Sequence, residues 1–169
     1  MTSPIKKPDI HTISVLVANK PGVLVRCAQV FARRGFNIDS LVVSPSVNPK
    51  YSRMTITAQG DPGTLEQIIK QSNKLVDVIH CGEHTGEDSL TREVALVKMK
   101  ATPVNKKFVQ RLVRKYHAHI VNDSDGAIIV EQSGTTVELD ELETILKKNG
   151  IIEMVRSGKL VMALGKEPT

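Results

Sequence analysis

The residues best suited to binding chemistry lie in the segment Asn19–Leu24, which reads Asn-Lys-Pro-Gly-Val-Leu. Pro21 and Gly22 stand where a strand turns into a helix, and proline suits the first helical turn because an amide hydrogen there has no intrahelical acceptor. Gly22 has no side chain to cover the following amides, so we expect the N–H groups of Gly22 and Val23 to be open to an anion. Asn19 can cap this helix or offer its amide to a ligand. The segment therefore predicts a site for a small carboxylate.

A second polar position, Asn37, follows the end of the same predicted helix. Two arginines in the last turn suit the exposed carbonyls of a helix C-terminus, and Gly35 is typical of the left-handed residue that ends a helix. A strand then begins, with Asn37 at its entry beside Ile38. Asn37 is therefore a second candidate for polar contact with a ligand.

The residues around these positions favour one class of ligand. A phosphate loop normally brings more glycines and a lysine beside Ser or Thr. Here a single glycine, two asparagines and the aliphatic Val23, Leu24 and Ile38 favour a small zwitterion with an apolar side chain. From the residues alone, a well-capped helix start that binds nothing remains the alternative.

The surrounding periodicity places these residues in a mixed unit of strands and helices. Ile13, Val15 and Val17 alternate as in a half-buried strand, and apolar residues from Leu24 to Phe31 form one helical stripe. The predicted strands are Ile13–Ala18, Phe36–Val43, Tyr51–Gln59 and Val76–Cys81, and the predicted helices are Pro21–Arg34 and one that Asp61 caps before Pro62. This βαββαβ order is the ferredoxin-like arrangement, an antiparallel sheet with both helices on one face.

The same order begins again after the polar segment Cys81–Asp88, which we interpret as a linker. Thr102-Pro103 starts a helix as Asp61 does, and Asp125-Gly126 is a tight hairpin turn. The sequence therefore predicts an α+β fold of two ferredoxin-like βαββαβ units in tandem, with domains at residues 1–84 and 85–169. Because no glycine follows the proline in the second unit, the predicted anion site is not repeated.

Composition excludes several classes of protein. No apolar run in the 169 residues approaches the ~18–20 residues of a membrane span, and Met1–Lys7 lacks the apolar core of a signal peptide. We therefore expect a cytoplasmic protein without membrane contact, in which Cys27 is a buried free thiol. The net charge of +5 could indicate a nucleic-acid partner, but the basic residues look scattered and no basic block is interleaved with aromatics. We interpret them as solvated surface.

Catalytic and metal-binding constellations are also missing from the sequence. His117 and His119 have no accompanying Cys, Asp or Glu ligands at zinc-site spacing. No Ser/His/Asp or Cys/His set stands at a turn that would expose a nucleophile, and Asp39 and Asp77 read as isolated, solvated carboxylates on strands. We expect neither a metal site nor catalysis by this chain alone.

Longer segments identify a family. The segments are Phe31–Leu41, Ser52–Ile56, Lys74–Val78 and Arg92–Lys98. Together with Asn19–Leu24, their order and spacing resemble those of the small, regulatory subunit of acetolactate synthase (acetohydroxyacid synthase). In that family the N-terminal half is an amino-acid-binding ACT domain. The match covers nearly the whole chain, but the residues of the segment Tyr116–His119 differ from those usual in the family.

The resemblance implies a non-catalytic protein that binds and activates a large catalytic subunit, which converts pyruvate to 2-acetolactate. It also implies feedback inhibition by valine or another branched-chain amino acid. Thiamine diphosphate, Mg and FAD are then expected on the catalytic subunit only, with no cofactor on this chain. In the family, two ACT domains pair as a homodimer and the effector sits between them. Carried over by motif, the effector-binding residues are Asn19, Gly22, Val23, Leu24, Asn37 and Ile38.

Two other functions compete with this interpretation. The first is a stand-alone ACT-domain amino-acid sensor or transcriptional regulator. As a regulator of transcription it would need a DNA-reading helix-turn-helix, and both halves are already used in βαββαβ units. An RNA-binding ferredoxin-like module would expect aromatic residues on the exposed sheet face, and the strands around Ser14–Val17 and Met54–Ala58 carry none.

Overall fold

The computed structural model describes residues 10–166 and 168–169, so the segment considered above for a signal peptide lies outside the described residues. The chain forms two compact units: residues up to Leu90 together with Gly158–Thr169, and Thr91–Ser157. Each unit contains a βαββαβ order and an antiparallel sheet, which confirms the predicted fold class. The domain boundary between residues 84 and 85 stays a prediction.

The first sheet has the strand order β2-β3-β1-β4. Its elements are β1 (Ile10–Ala18), α1 (Val23–Arg33), β2 (Ile38–Pro45), β3 (Tyr51–Gln59), α2 (Pro62–Ser72) and β4 (Val78–Glu83). Strand β1 is central, and Val15 pairs with Met54 of β3 on one side and with Cys81 of β4 on the other. Among the strands of residues 10–166, β2 pairs only with β3, so it is an edge strand of this sheet.

The second sheet has the order β6-β7-β5-β8, and β9 also pairs with β5. The elements are β5 (Ser89–Lys100), α3 (Pro103–Tyr116), β6 (His119–Ser124), β7 (Ala127–Gly134), α4 (Thr136–Lys147), β8 (Ile151–Arg156) and β9 (Leu160–Ala163). The predicted turn between β6 and β7 is confirmed, with Asp125 at φ 52° and Gly126 at φ 75°. Both values lie in the left-handed region that a two-residue hairpin turn requires.

Each sheet packs its helices into a separate aliphatic core. In the first unit, Ile13, Phe31, Ile68 and other residues of β1, α1 and α2 are almost fully buried together. In the second, Val97, Leu112 and Leu142 belong to a cluster that shares no residue with the first. Burying one such side chain contributes about 1.5–3 kcal/mol, so each unit has its own source of stability.

The opposite face of the first sheet is polar and is contacted by the segment Gly158–Thr169. Ser14 pairs with Thr55 across β1 and β3, and both side chains are buried. Arg53 donates through Nη1 to Ser14 Oγ at 2.9 Å and also to the main-chain oxygen of Thr169. Gly158 lies so close to Val42 that a Cβ on it would be 2.8 Å from Val42 Cγ2.

The end of α1 explains why β2 begins two residues later than predicted. Gly35, at φ 72°, donates its N–H to Ala32 O, and Phe36 donates its N–H to Phe31 O at 3.1 Å. This pair of bonds is the Schellman motif that closes a helix with a left-handed glycine. Because Phe36 is still part of that motif, the strand begins at Ile38.

Three helices start at a side-chain cap. Asp61, Thr102 and Thr135 each accept a hydrogen bond from the backbone N–H three residues later, at the starts of α2, α3 and α4. The predicted helix starts at Asp61 and Thr102 are therefore confirmed. Within residues 10–166 and 168–169, no helix is long and apolar enough to cross a membrane.

Candidate functional site

The start of α1 differs from the other helix starts and from its predicted form. The helix begins at Val23, and its N-cap is Gly22 at φ 81°, with no side-chain cap. The prediction that Pro21 occupies the first helical turn is therefore wrong. The reason is a tight turn over Lys20–Val23, in which Pro21 and Gly22 are the two central residues and the N–H of Val23 points to Lys20 O.

Asn19 does not cap this helix, so the first of its two predicted roles is wrong. Its Nδ2 donates to Pro49 O at 3.0 Å, and its backbone N–H donates to Lys50 O at 2.8 Å. Asn19 thus connects the start of α1, here called the α1 corner (Asn19–Leu24), to the loop between β2 and β3 by hydrogen bonds. Its Oδ1 accepts no hydrogen bond from the residues that the structure describes, which leaves an exposed acceptor beside Gly22.

The amides of the corner are only partly open. The N–H of Val23, predicted to be open, points to Lys20 O at 3.4 Å, a long bond. The N–H groups of Gly22 and Leu24 have no acceptor in the described part of the chain. Two donors at the positive end of a helix dipole can receive a carboxylate.

A guanidinium that the sequence prediction missed lies over the same corner. A Cβ on Gly22 would be 3.2 Å from Arg26 Nη1, and Arg26 Nη2 lies 2.5 Å from Asp77 Oδ2. The interpretation of Asp77 as an isolated strand carboxylate is wrong, because it lies in the turn before β4 and pairs with Arg26. The spacing of four residues from Gly22 to Arg26 places them on one helix face. Nothing in the sequence indicated that Asp77 would pair with Arg26.

The electrostatics of this corner favour an anion. Arg26 stands in the first turn, where a cation opposes the helix dipole, and α1 has no acidic residue in that turn. Asp77, whose side chain is 19% exposed, is the carboxylate that offsets this charge. The other N–H groups of the guanidinium are available to a second carboxylate.

The remaining predicted site residues lie at the other end of α1. Asn37 is exposed and Ile38 is half-buried against the first core. Eleven helical residues separate them from Gly22, a length of about 16 Å. The structure therefore brings Asn19, Gly22, Val23 and Leu24 together, and separately Asn37 with Ile38, but it does not bring the two groups together within one chain.

The edge of β2 runs between these two groups. Leu41 and Val43 are 36% and 41% exposed, although their partners Ile56 and Met54 on β3 are buried. An unpaired strand edge with aliphatic side chains is a template for pairing with another strand.

The residues considered for other chemistry are placed as follows. His117 ends α3 in a left-handed conformation and His119 lies on β6. Among the residues that the structure describes, no three His, Cys, Asp or Glu side chains gather as a metal site would need.

Burial raises the pKa of the Cys27 thiol, and it raises the pKa of Cys81 to about 12. Both thiols therefore stay protonated and are poor nucleophiles at neutral pH.

Comparison with known proteins gives matches over both halves of the chain. Residues 13–80 match the family of AHAS small subunit-like ACT domains, and residues 92–165 match the family described as the small subunit of acetolactate synthase. A probable acetolactate synthase small subunit of Archaeoglobus fulgidus is 41% identical over 157 residues, covering 93% of this chain and 98% of its own length. The acetolactate synthase small subunit of Mycobacterium bovis is 41% identical over 158 residues, which is 94% of each chain.

A solved structure agrees with these sequence matches. The crystal structure of the acetolactate synthase small subunit of Thermotoga maritima superposes with a TM-score of 0.84 at 35% identity, covering 94% of this chain and 99% of that chain.

Proposed function

The chain belongs to the acetolactate synthase small-subunit family, and from that premise we propose that it binds and activates the catalytic subunit and confers feedback inhibition by valine or another branched-chain amino acid. It is a regulatory ACT-domain protein. The reaction that it controls is the conversion of pyruvate to 2-acetolactate. In this proposal thiamine diphosphate, Mg and FAD belong to the catalytic subunit, and this chain holds the effector.

The uncapped start of α1 is the observation that carries the proposal. The free N–H groups of Gly22 and Leu24 and the guanidinium of Arg26 form a donor set for the effector's carboxylate. The Oδ1 of Asn19 accepts from its ammonium group. In α2, α3 and α4 a Ser/Thr/Asp-type cap fills the equivalent space, so α1 is the helix start prepared for a ligand.

A second copy of the chain completes the site. Asn37 and Ile38 lie about one helix length from Gly22, so they contact the same effector only across a two-fold axis. Antiparallel pairing of β2 with β2 of the second copy sets the Gly22 corner of one chain beside Asn37 of the other. The exposed Leu41 and Val43 on the edge support this pairing.

The pocket walls are aliphatic, and such walls discriminate weakly. Leu24 is 39% exposed at the corner and Ile38 is half-buried, so valine, leucine and isoleucine differ by only ~1–3 kcal/mol per methylene. Because the effector bridges two chains, it stabilises one geometry of the pair over another. The resulting coupling to the catalytic subunit is limited to about 1–3 kcal/mol, the usual size of allosteric coupling.

Calorimetric titration of the purified chain with L-valine, L-leucine and L-isoleucine, alongside an acetolactate assay with the catalytic subunit, tests the proposal. We expect at least one branched-chain amino acid to bind, and the catalytic subunit to gain both activity and inhibition by that amino acid. Binding without any effect on the catalytic subunit would indicate a stand-alone sensor instead. If none of the three amino acids binds, the proposal of an effector site on this chain is wrong.

A further inference from the structure

The net positive charge of the chain is concentrated in one helix, although the sequence suggested that it was scattered. The whole chain has 23 Lys and Arg against 18 Asp and Glu. Helix α3 contains five basic residues and no acidic one. The rest of the chain therefore has 18 of each sign, which is balanced. The basic residues of α3 are Lys106, Lys107, Arg111, Arg114 and Lys115.

Four of these residues form one outward surface, the α3 basic face, made of Lys107, Arg111, Arg114 and Lys115. They lie at spacings of four, seven and eight residues, which is one side of a helix, and all four are exposed. Lys106 alone pairs with a carboxylate, that of Asp123 at 2.8 Å. In the described part of the chain, no carboxylate forms a salt bridge with the α3 basic face. Like charges at these spacings repel one another along the helix, although Arg114 and Lys115 in the last turn also interact favourably with the helix dipole.

An apolar groove borders the α3 basic face on the side of α4. Phe108, Tyr116 and Ile145 line this groove of about 230 Å³, together with Arg111 and Lys115. The three apolar side chains are half-buried, and Lys115 Nζ lies 4.9 Å from the centre of the Tyr116 ring. Aromatic residues and arginine around a partly apolar centre are typical of protein–protein interfaces.

We propose that the α3 basic face and its groove dock an acidic surface with an apolar side chain at its centre, located on the catalytic subunit. The inference rests on the proposed function for the existence of that partner. The charge of the face requires a negative partner. The groove favours a protein over a nucleic acid, because a phosphate backbone would neutralise the cations and leave Phe108, Tyr116 and Ile145 uncovered. Attraction between opposite charges accelerates the encounter of two proteins and makes it sensitive to salt.

Association kinetics with the purified catalytic subunit test the inference. The variant K107E/R111E/R114E reverses the charge without touching the core or the α1 corner. We expect its association rate to fall about tenfold or more at low salt, because reversing charges in a steered interface slows encounter. We also expect the steep salt dependence of the wild-type rate to flatten. Circular dichroism and calorimetry with valine serve as controls, and we expect them to show that the variant is folded and binds valine as the wild type does.

The matched control is K74E/R92E/K166E, which makes the same change in net charge at three exposed basic residues outside α3 and α4. Its association rate should change by less than about twofold, because none of the three substitutions alters the α3 basic face or its groove. Equal rates for the wild type and the α3 variant would overturn the inference while the complex itself remains. Loss of single-stranded RNA or DNA binding in the α3 variant, with an unchanged subunit association rate, would overturn it in favour of a nucleic acid. Failure of the wild type to bind the catalytic subunit would overturn both proposals.

Discussion

At the scale of the residue, Gly22 is the position where one side chain should separate sensing from activation. Its φ is 81°, a conformation that strains most side chains, and Arg26 Nη1 lies 3.2 Å from the point that a Cβ on this residue would occupy, so a new side chain would contact the guanidinium directly. In Gly22→Asp the new carboxylate would pair with Arg26 and occupy the place of the effector's carboxylate. We expect valine to bind about tenfold more weakly or worse, which corresponds to ~1.4 kcal/mol. Calorimetry measures this loss, and the acetolactate assay should show activation without inhibition.

Gly22→Asn is the control for this prediction. Asparagine tolerates the left-handed conformation about as well as aspartate, so it reproduces the backbone strain without the charge. Feedback inhibition should survive better in Gly22→Asn than in Gly22→Asp. If both variants lose activation together with inhibition, Gly22 has a structural role only.

Residue types alone predicted a helix start without a side-chain cap at Gly22, but they did not predict the geometry around it. Pro-Gly after a strand indicated an open helix start, because no other pair combines a fixed φ with a missing side chain. The partner of Asn19 could not be predicted, since the carbonyl of Pro49 reaches it through the packing of a distant loop. The Arg26–Asp77 pair joins residues 51 positions apart, and a single sequence contains no signal for such contacts.

At the scale of the element, the cap of α2 links stability to pH. Hydrogen bonds from Thr64 lower the pKa of Asp61 below its ordinary value of 3.8. Because the folded-state pKa is depressed, the stabilisation is fully present above pH about 4 and is lost as the pH falls through the lower value. Asp61→Asn keeps a good cap but does not titrate. Urea unfolding from pH 5 to pH 2 should therefore show a shallower loss of stability in Asp61→Asn than in the wild type. Parallel pH curves for the two proteins would contradict this role of Asp61.

The free edge of β2 gives a second prediction at this scale. A lysine at Val43 places a charge on the edge that we propose to pair between two copies, and edge charges block such pairing. Sedimentation should show that Val43→Lys shifts the dimer towards monomer and weakens valine binding in parallel. Ile79→Lys is the matched control, since Ile79 is 54% exposed on β4, the other edge strand of the same sheet. Equal dissociation in both variants would contradict pairing through β2.

Elements with strong local signals were predicted closely, and those set by packing were not. Strand β3 was predicted at Tyr51–Gln59 and is found there, because its alternation is regular and a segment with two prolines and one asparagine precedes it. Helix α1 was predicted too long at its N-terminus, because Pro21 fits a helical turn as well as the tight turn that it occupies. In the structure the chain before Pro21 is held by hydrogen bonds of Asn19 to Pro49 and Lys50, in the loop before β3, and these contacts have no signal in the local sequence.

At the scale of the whole molecule, the two separate cores predict that a substitution in one core destabilises only the unit that contains it. Leu142 and Ile68 are both fully buried, one in each core cluster. Leu142→Ala and Ile68→Ala should each cost about 2–5 kcal/mol, the usual cost of such a cavity. Hydrogen exchange should then accelerate in Thr91–Ser157 for Leu142→Ala, and in residues 10–90 for Ile68→Ala. Acceleration throughout the chain in both variants would show that the units unfold together.

Both cysteines of the chain lie in the first core, and this location makes them a natural reporter of that unit alone. A thiol reagent reacts only with a thiolate that it can reach, and here burial withholds both access and ionisation. The rate of modification by such a reagent therefore measures how often the first unit opens. If valine binds at the proposed site, it should slow this reaction by mass action, whereas loosening of the other unit should leave the rate unchanged. The wild-type protein thus supplies an unlabelled assay for occupancy of the proposed effector site.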